Sequence, residues 1–112
     1  MAKVTISLSL REEIYKKFKQ KALDIFIYMR TLESNPAKGK ELGNVAGIVI
    51  KELRYENFRF YFITDGHVLK FGTDDELSQI LIKFVRMSEK KDQQKNINKI
   101  KNILKSMGFE AF

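Results

Sequence analysis

The stretch Ile48–Phe71, IVIKELRYENFRFYFITDGHVLKF, decides how this chain is read. It contains three β-rich runs, Ile48–Tyr55, Phe58–Thr64 and His67–Phe71. β-branched and aromatic residues crowd each run, as suits a pleated, half-covered surface. Glu56-Asn57 separates the first two runs and Asp65-Gly66 the last two. Asp-Gly is the strongest short hairpin signal, because both residues tolerate left-handed turn geometry. An antiparallel meander of three strands is therefore predicted.

A turn at Glu56-Asn57 pairs Tyr55 with Phe58 and sets Arg54 directly opposite Arg59. A turn at Asp65-Gly66 pairs Tyr61 with Lys70 and Phe60 with Phe71. Side chains alternate across a strand, so cross-strand partners share a face. One face then carries Leu53, Tyr55, Phe58, Phe60, Phe62, Leu69 and Phe71, a core surface for a helix. The other carries Glu52, Arg54, Arg59, Tyr61 and Lys70, with Ile50, Ile63 and Val68 toward one end. Lys51 falls on the apolar face, and this register offers no reason for it.

Two arginines directly opposite each other repel, roughly the reverse of a favourable pair worth ~0.2–1 kcal/mol. Either Glu52 and Glu56 neutralise them or both heads reach water, or else the bare sheet face is an anion site. A phosphate answers guanidinium groups with bidentate hydrogen bonds. Tyr61 on that face would stack a base or donate its hydroxyl.

Outward from this stretch, Val4–Leu8 alternates and predicts a first strand. Ser9 with Glu12 fits a capping box opening a helix near Leu10. Ile14, Phe18, Ala22, Ile25, Phe26 and Met29 recur every three or four residues. They predict one helix of about twenty residues with an apolar stripe. Asn35-Pro36 stops it, and residues 36–46 read as a connection. Gly72–Leu77 reads as an acidic loop and Ile80–Met87 as a fourth strand. Asp92 caps a last helix lined by Ile97, Ile100, Leu104 and Met107, which Gly108 ends, and Phe109 can fold back onto its last turn. The expectation is one α+β domain over residues 1–112: a small, twisted, antiparallel sheet of four to five strands. The N-terminal helix or helices pack on one face, and a helix closes the chain.

Composition narrows the chemistry. The 112 residues carry 21 Lys+Arg against 14 Asp+Glu, a formal net charge of +7. Such a surplus favours a polyanionic partner. With no cysteine and one histidine, disulfides, thiol catalysis and histidine-rich metal sites are excluded. No apolar run reaches the ~18 residues of a membrane helix. The opening MAKVTISLSL is too short and too alternating for a signal peptide, so an intracellular protein is expected. Residues 1–46 carry nine basic and five acidic side chains, and residues 88–112 six and three. Residues 47–87 carry six of each and are neutral, yet hold Arg54, Arg59 and Arg86. Arginines within strands need a reason more than lysines on solvated helix faces do. His67 reads as a surface residue beside the turn. Asp74, Asp75 and Glu76 read as a solvated acidic loop, since consecutive carboxylates lack further metal-ligand spacing.

Glu52-Leu53-Arg54, then Phe58-Arg59-Phe60-Tyr61-Phe62, then Ile80–Phe84 followed by Val85-Arg86-Met87-Ser88-Glu89-Lys90 resembles the RelE/HigB toxin superfamily. The likeness is greatest to its HigB-like, phage-associated branch and lies mainly in residues 42–105. It implies a RelE-like fold and a type II toxin: a metal-independent endoribonuclease that cleaves mRNA on the ribosome, in the cytoplasm, silenced by a cognate antitoxin. It implies no cofactor and no membrane partner. By this resemblance Arg54 and Arg59 match the two strand arginines, and Arg86 and Lys90 the basic residues after the last strand. Glu89 stands where a glutamine is usual, Lys83 where a glycine is, and Ile82 where a histidine is frequent. No tyrosine follows the last strand.

Arg59 and Arg86 are thus expected on the phosphate in the transition state, with Arg54 in support. Lys90 or Glu89 is expected to move protons, and Tyr61, Lys70 and Lys91 to bind substrate. Cleavage of this kind uses the substrate's own 2′-hydroxyl, and guanidinium groups suit the crowded phosphorane. The alternative is a non-catalytic RNA- or DNA-binding protein that keeps the basic face. A weaker third reading is a module that binds an acidic protein.

Overall fold

The computed structural model describes all 112 residues. The β3–β4 hairpin at its centre, Ile48–Tyr55 and Phe58–Asp65, has the predicted register, with Tyr55 opposite Phe58 and Arg54 opposite Arg59. Its turn holds Glu56 at φ 53°. Around it the strands run in the order β1-β5-β4-β3-β2, with β1 at Lys3–Ile6, β2 at Lys40–Val45 and β5 at Leu81–Glu89. β1 lies parallel to β5, so the sheet is mixed where an all-antiparallel one was expected. No helix is long and apolar enough to cross a membrane.

Helices cover both faces. Leu53, Phe60, Phe62, Ile82, Phe84 and Met87 pack against helix α1 (Leu8–Phe18) and helix α2 (Ala22–Arg30). Ile50, Tyr61, Ile63 and Val85 pack against Ile100 and Leu104 of helix α5 (Gln93–Met107). The second face is thus not bare, as the sequence reading had it: α5 lies over it. Burying apolar area at ~25 cal/mol per Å² drives this, since Ile50 and Ile63 would otherwise face water.

Five local expectations are corrected. The first helix is capped by Ser7, whose Oγ accepts from the Leu10 N–H at 3.4 Å, not by Ser9. It breaks at Lys19, φ 51°, and a 3₁₀ turn leads into α2. The apolar stripe continues across the break, so periodicity alone could not reveal it. Within residues 36–46, β2 pairs with β3 through a two-residue turn, Ala46 at φ 51° and Gly47 at φ 84°. Both central residues are left-handed, as in a type I′ hairpin.

Asp65-Gly66 is not a hairpin turn. Asp65 Oδ1 accepts from the N–H groups of His67 and Val68 at 2.9 and 3.0 Å and caps helix α3 (Gly66–Phe71). Asp is as good an N-cap as a turn residue, so the dipeptide reads both ways. Gly66 is needed for another reason: a Cβ there would meet the Gly47 carbonyl oxygen at 2.9 Å. Leu69, Lys70 and Phe71 consequently leave the sheet. Within Gly72–Leu77, expected to be a loop, lies a helical turn, α4 (Asp74–Leu77), closed by a capping box between Thr73 and Glu76.

Lys51, the misfit of the sequence reading, has a partner. Its Nζ donates to the Ala37 carbonyl at 2.8 Å and lies 5.9 Å from the centroid of Phe62. Burial holds the ammonium's pKa below its ordinary 10.5, and Glu41 opposes that shift.

A candidate nucleic-acid interface

One irregularity assembles the site. Tyr61 faces Arg86 and Phe62 faces Phe84, so Val85 is an extra residue in β5. Strict alternation would put Arg86 on the face of Ile82 and Phe84, beneath α1. The bulge resets the parity. Val85 packs toward α5, Arg86 shares the face of Tyr61, and Met87 returns to the α1 side.

Where the β3–β4 turn meets the end of β5, a cleft of about 420 Å³ is lined by Arg54, Glu56, Asn57, Arg59, Glu89, Lys90 and Lys91, with no apolar residue. That size lies within the range of small-ligand sites. Its floor differs from its rim. Arg59 is 5% exposed, with Nε 3.8 Å from Oε2 of the equally buried Glu52. The same Glu52 oxygen accepts from Gln93 Nε2 at 2.8 Å. Arg54, Lys90 and Lys91 are exposed. Glu89 pairs with Lys91 at 3.6 Å and Glu56 with Lys21 at 3.7 Å. Arg54 and Lys90 enter no ion pair, so they are the cations ready for an incoming anion.

Arg86 opens into an adjoining groove of about 300 Å³, which shares Glu89 with the cleft. Its Nε donates to Asn96 Oδ1 at 2.7 Å, and Asn96 Nδ2 donates to the Asp92 carbonyl at 2.9 Å. The two bonds together fix the amide.

Of the expected site residues, Arg54, Arg59, Glu89, Lys90 and Lys91 line one cleft and Arg86 borders it. Two do not belong. Tyr61 is fully buried under α5, its hydroxyl 2.7 Å from Ser88 Oγ, so no base can stack on it. Burial pushes its phenol pKa up, against the Ser88 hydrogen bond, so it stays protonated at neutral pH. Lys70 sits on α3 beside His67, beyond the far end of β4 from Arg59, because the last predicted strand is helical. His67 is exposed, its ring 5.3 Å from that of Phe71.

The sequence reading missed Gln93 and Asn96. Asn96 left a signal: it stands four residues before Ile100 and eight before Leu104, on the buried stripe of α5. A polar residue there needs a partner. Gln93 left none. Asn57, in the turn, was not singled out.

The fold and site define a small α+β domain with a polar, net-basic cleft at one end of its sheet. No family model, no curated protein and no solved structure matches the chain.

Proposed function

We propose that the chain binds RNA in this cleft and cleaves it as the toxin of a type II toxin–antitoxin system, acting on mRNA at the cytoplasmic ribosome and silenced by a cognate antitoxin. The observation that carries this reading is the all-polar cleft in which Arg54 and Lys90 have no ion-pair partner. A phosphodiester is the polyanion whose geometry suits a guanidinium and an ammonium on one rim.

In this reading the 2′-hydroxyl attacks the adjacent phosphorus, a cyclic phosphate forms, and the 5′-oxygen leaves with a proton. Arg54 and Lys90 hold the non-bridging oxygens. Arg86 approaches from the adjoining groove, and Arg59, paired with Glu52, forms the cleft's floor. Glu89 is the acceptor for the 2′-hydroxyl proton, and Lys90 is placed to protonate the leaving oxygen. No metal enters these steps, in keeping with the RelE/HigB resemblance.

One observation favours a second reading, a non-catalytic nucleic-acid-binding protein. Arg59 is held by Glu52, and Arg86 by Asn96. Both readings give RNA binding that weakens with salt. Only the first gives arrest of a cell-free translation reaction with new mRNA ends at the ribosome. Arg54→Ala and Lys90→Ala should each relieve that arrest. Intact mRNA and unimpeded translation at saturating protein would leave binding alone.

A further inference from the structure

β1 covers β5 only as far as Phe84, opposite Ile6. Beyond it, β5 continues through Arg86 to Glu89 with β4 on one side and no strand on the other. The adjoining groove runs along this bare edge, between α1 and α5. Lys17 and Glu13 of α1 form one wall, and Lys95 and Lys99 of α5 the other. Phe58 lies between them, half-buried, with the Lys17 ammonium 5.0 Å from its ring centroid. Glu89 is common to this groove and the cleft, so the two form one track.

We infer that this groove is a second nucleotide subsite, through which a single RNA strand continues past the cleft. The inference rests on the reading of the cleft as an RNA site. An aromatic ring flanked by cations is how proteins hold single strands without reading sequence: the base stacks on the ring and lysines follow the backbone. Lys17 already places a cation over Phe58, and on an exposed helix face it can swing aside to admit a base or meet its phosphate. Lys95 and Lys99 lie one turn apart on α5 and project to the same side. They are suited to successive phosphates rather than one. The unpaired strand edge adds backbone donors along the floor.

The test is fluorescence anisotropy with uncleavable 2′-O-methyl oligouridylates, a trinucleotide that fills the cleft and a decanucleotide that also reaches the groove. The wild-type chain should bind the decanucleotide more tightly. Lys95→Ala/Lys99→Ala, both exposed, should reduce that advantage and lower the decanucleotide's salt slope by about 1.4, at roughly 0.7 per phosphate contact. Trinucleotide binding should be unchanged. Phe58→Leu, which keeps an apolar side chain against Phe18, should weaken the decanucleotide about fivefold or more. Arg54→Ala should weaken both. If the trinucleotide binds through Arg54 but the lysine pair leaves the length advantage intact, the groove is not a subsite. If neither oligonucleotide binds, the cleft reading falls and this inference with it.

Discussion

Arg59→Ala should unfold this protein more readily than any change at Arg54, although the two stand side by side in the sheet. Arg59 and Glu52 are each 5% exposed, and Arg59 Nε lies 3.8 Å from Glu52 Oε2. Removing the guanidinium leaves a carboxylate under α5 with only the Gln93 amide as partner. Breaking a buried pair from one side costs about 3–5 kcal/mol, because the survivor stays desolvated and unneutralised. At roughly 4 °C per kcal/mol for a chain of this size, the Tm should fall by about 12–20 °C. Arg54 is exposed and faces a like charge, so Arg54→Ala should stay within about 0.5 kcal/mol of wild type. Arg59→Met/Glu52→Leu, which removes both charges and keeps the volume, should recover most of the loss. Urea and thermal unfolding followed by far-UV circular dichroism measure these, since the chain has no tryptophan. The reasoning is refuted if Arg59→Ala costs no more than Arg54→Ala, or if the double-mutant cycle shows no coupling. An activity lost in Arg59→Ala would therefore mix chemistry with unfolding, and Arg54 and Lys90 are the better probes of function.

Two further changes test the fold. The Lys51 ammonium is harder to keep charged in the folded state than in the unfolded chain, so its cost is full below the lowered pKa and relieved as pH climbs toward 10.5. Stability should accordingly gain from rising pH in that window. Lys51→Met should remove this gain and raise the urea midpoint at neutral pH, with the Ala37 carbonyl, on an exposed residue, turning to water; an unchanged pH slope would contradict it. Asp65→Ala should cost about 0.5–2 kcal/mol, whereas Asp65→Asn, which can still accept the cap bonds, should cost little. Equal stability of the two variants would mean the side chain does not cap α3.

The predicted β3–β4 register survives because period-two alternation and a two-residue turn leave one consistent pairing. The two N-terminal helices lie where the stripe from Ile14 to Met29 puts them, on the Leu53–Phe60–Phe62 face. The last helix is present and buries Ile97, Ile100 and Leu104 of its predicted stripe, but Met107 is exposed at its end and Asp92 stands at its start without a side-chain cap bond. Phe109 packs against the Ile100–Leu104 cluster. Two failures were non-local, the parallel pairing of β1 with β5 and the covering of the second face by α5; the others were local and ambiguous. Asp65 serves a turn or a cap equally well, and Lys19 breaks a helix without glycine or proline. KELGNV, with glycine inside it, does not look like a strand until β3 lies beside it.

The candidate site divides along the same line. Arg54 and Arg59 were legible because they lie opposite each other in a hairpin, whereas Glu89 and Lys90, at and just past the end of β5, were expected only through the RelE/HigB resemblance. Arg86 was named, but its face depends on an extra residue at Val85. A bulge shifts parity by one and leaves no mark in the hydrophobic pattern.

The sequence by itself determined the α+β class, the central hairpin, the apolar stripes and the gathering of arginines in a segment of zero net charge. These follow from periodicities that reach only a few residues along the chain. Only the tertiary structure decided that α5 covers the arginine face, that Glu52 and Asn96 hold Arg59 and Arg86, and that Tyr61 is interior while Arg54 and Lys90 stay free. The physical reason is that burial belongs to a face only after something packs on it. Whether an arginine meets solvent, a carboxylate or a phosphate depends on residues tens of positions away, brought near by the hydrophobic contact of α5 with the sheet.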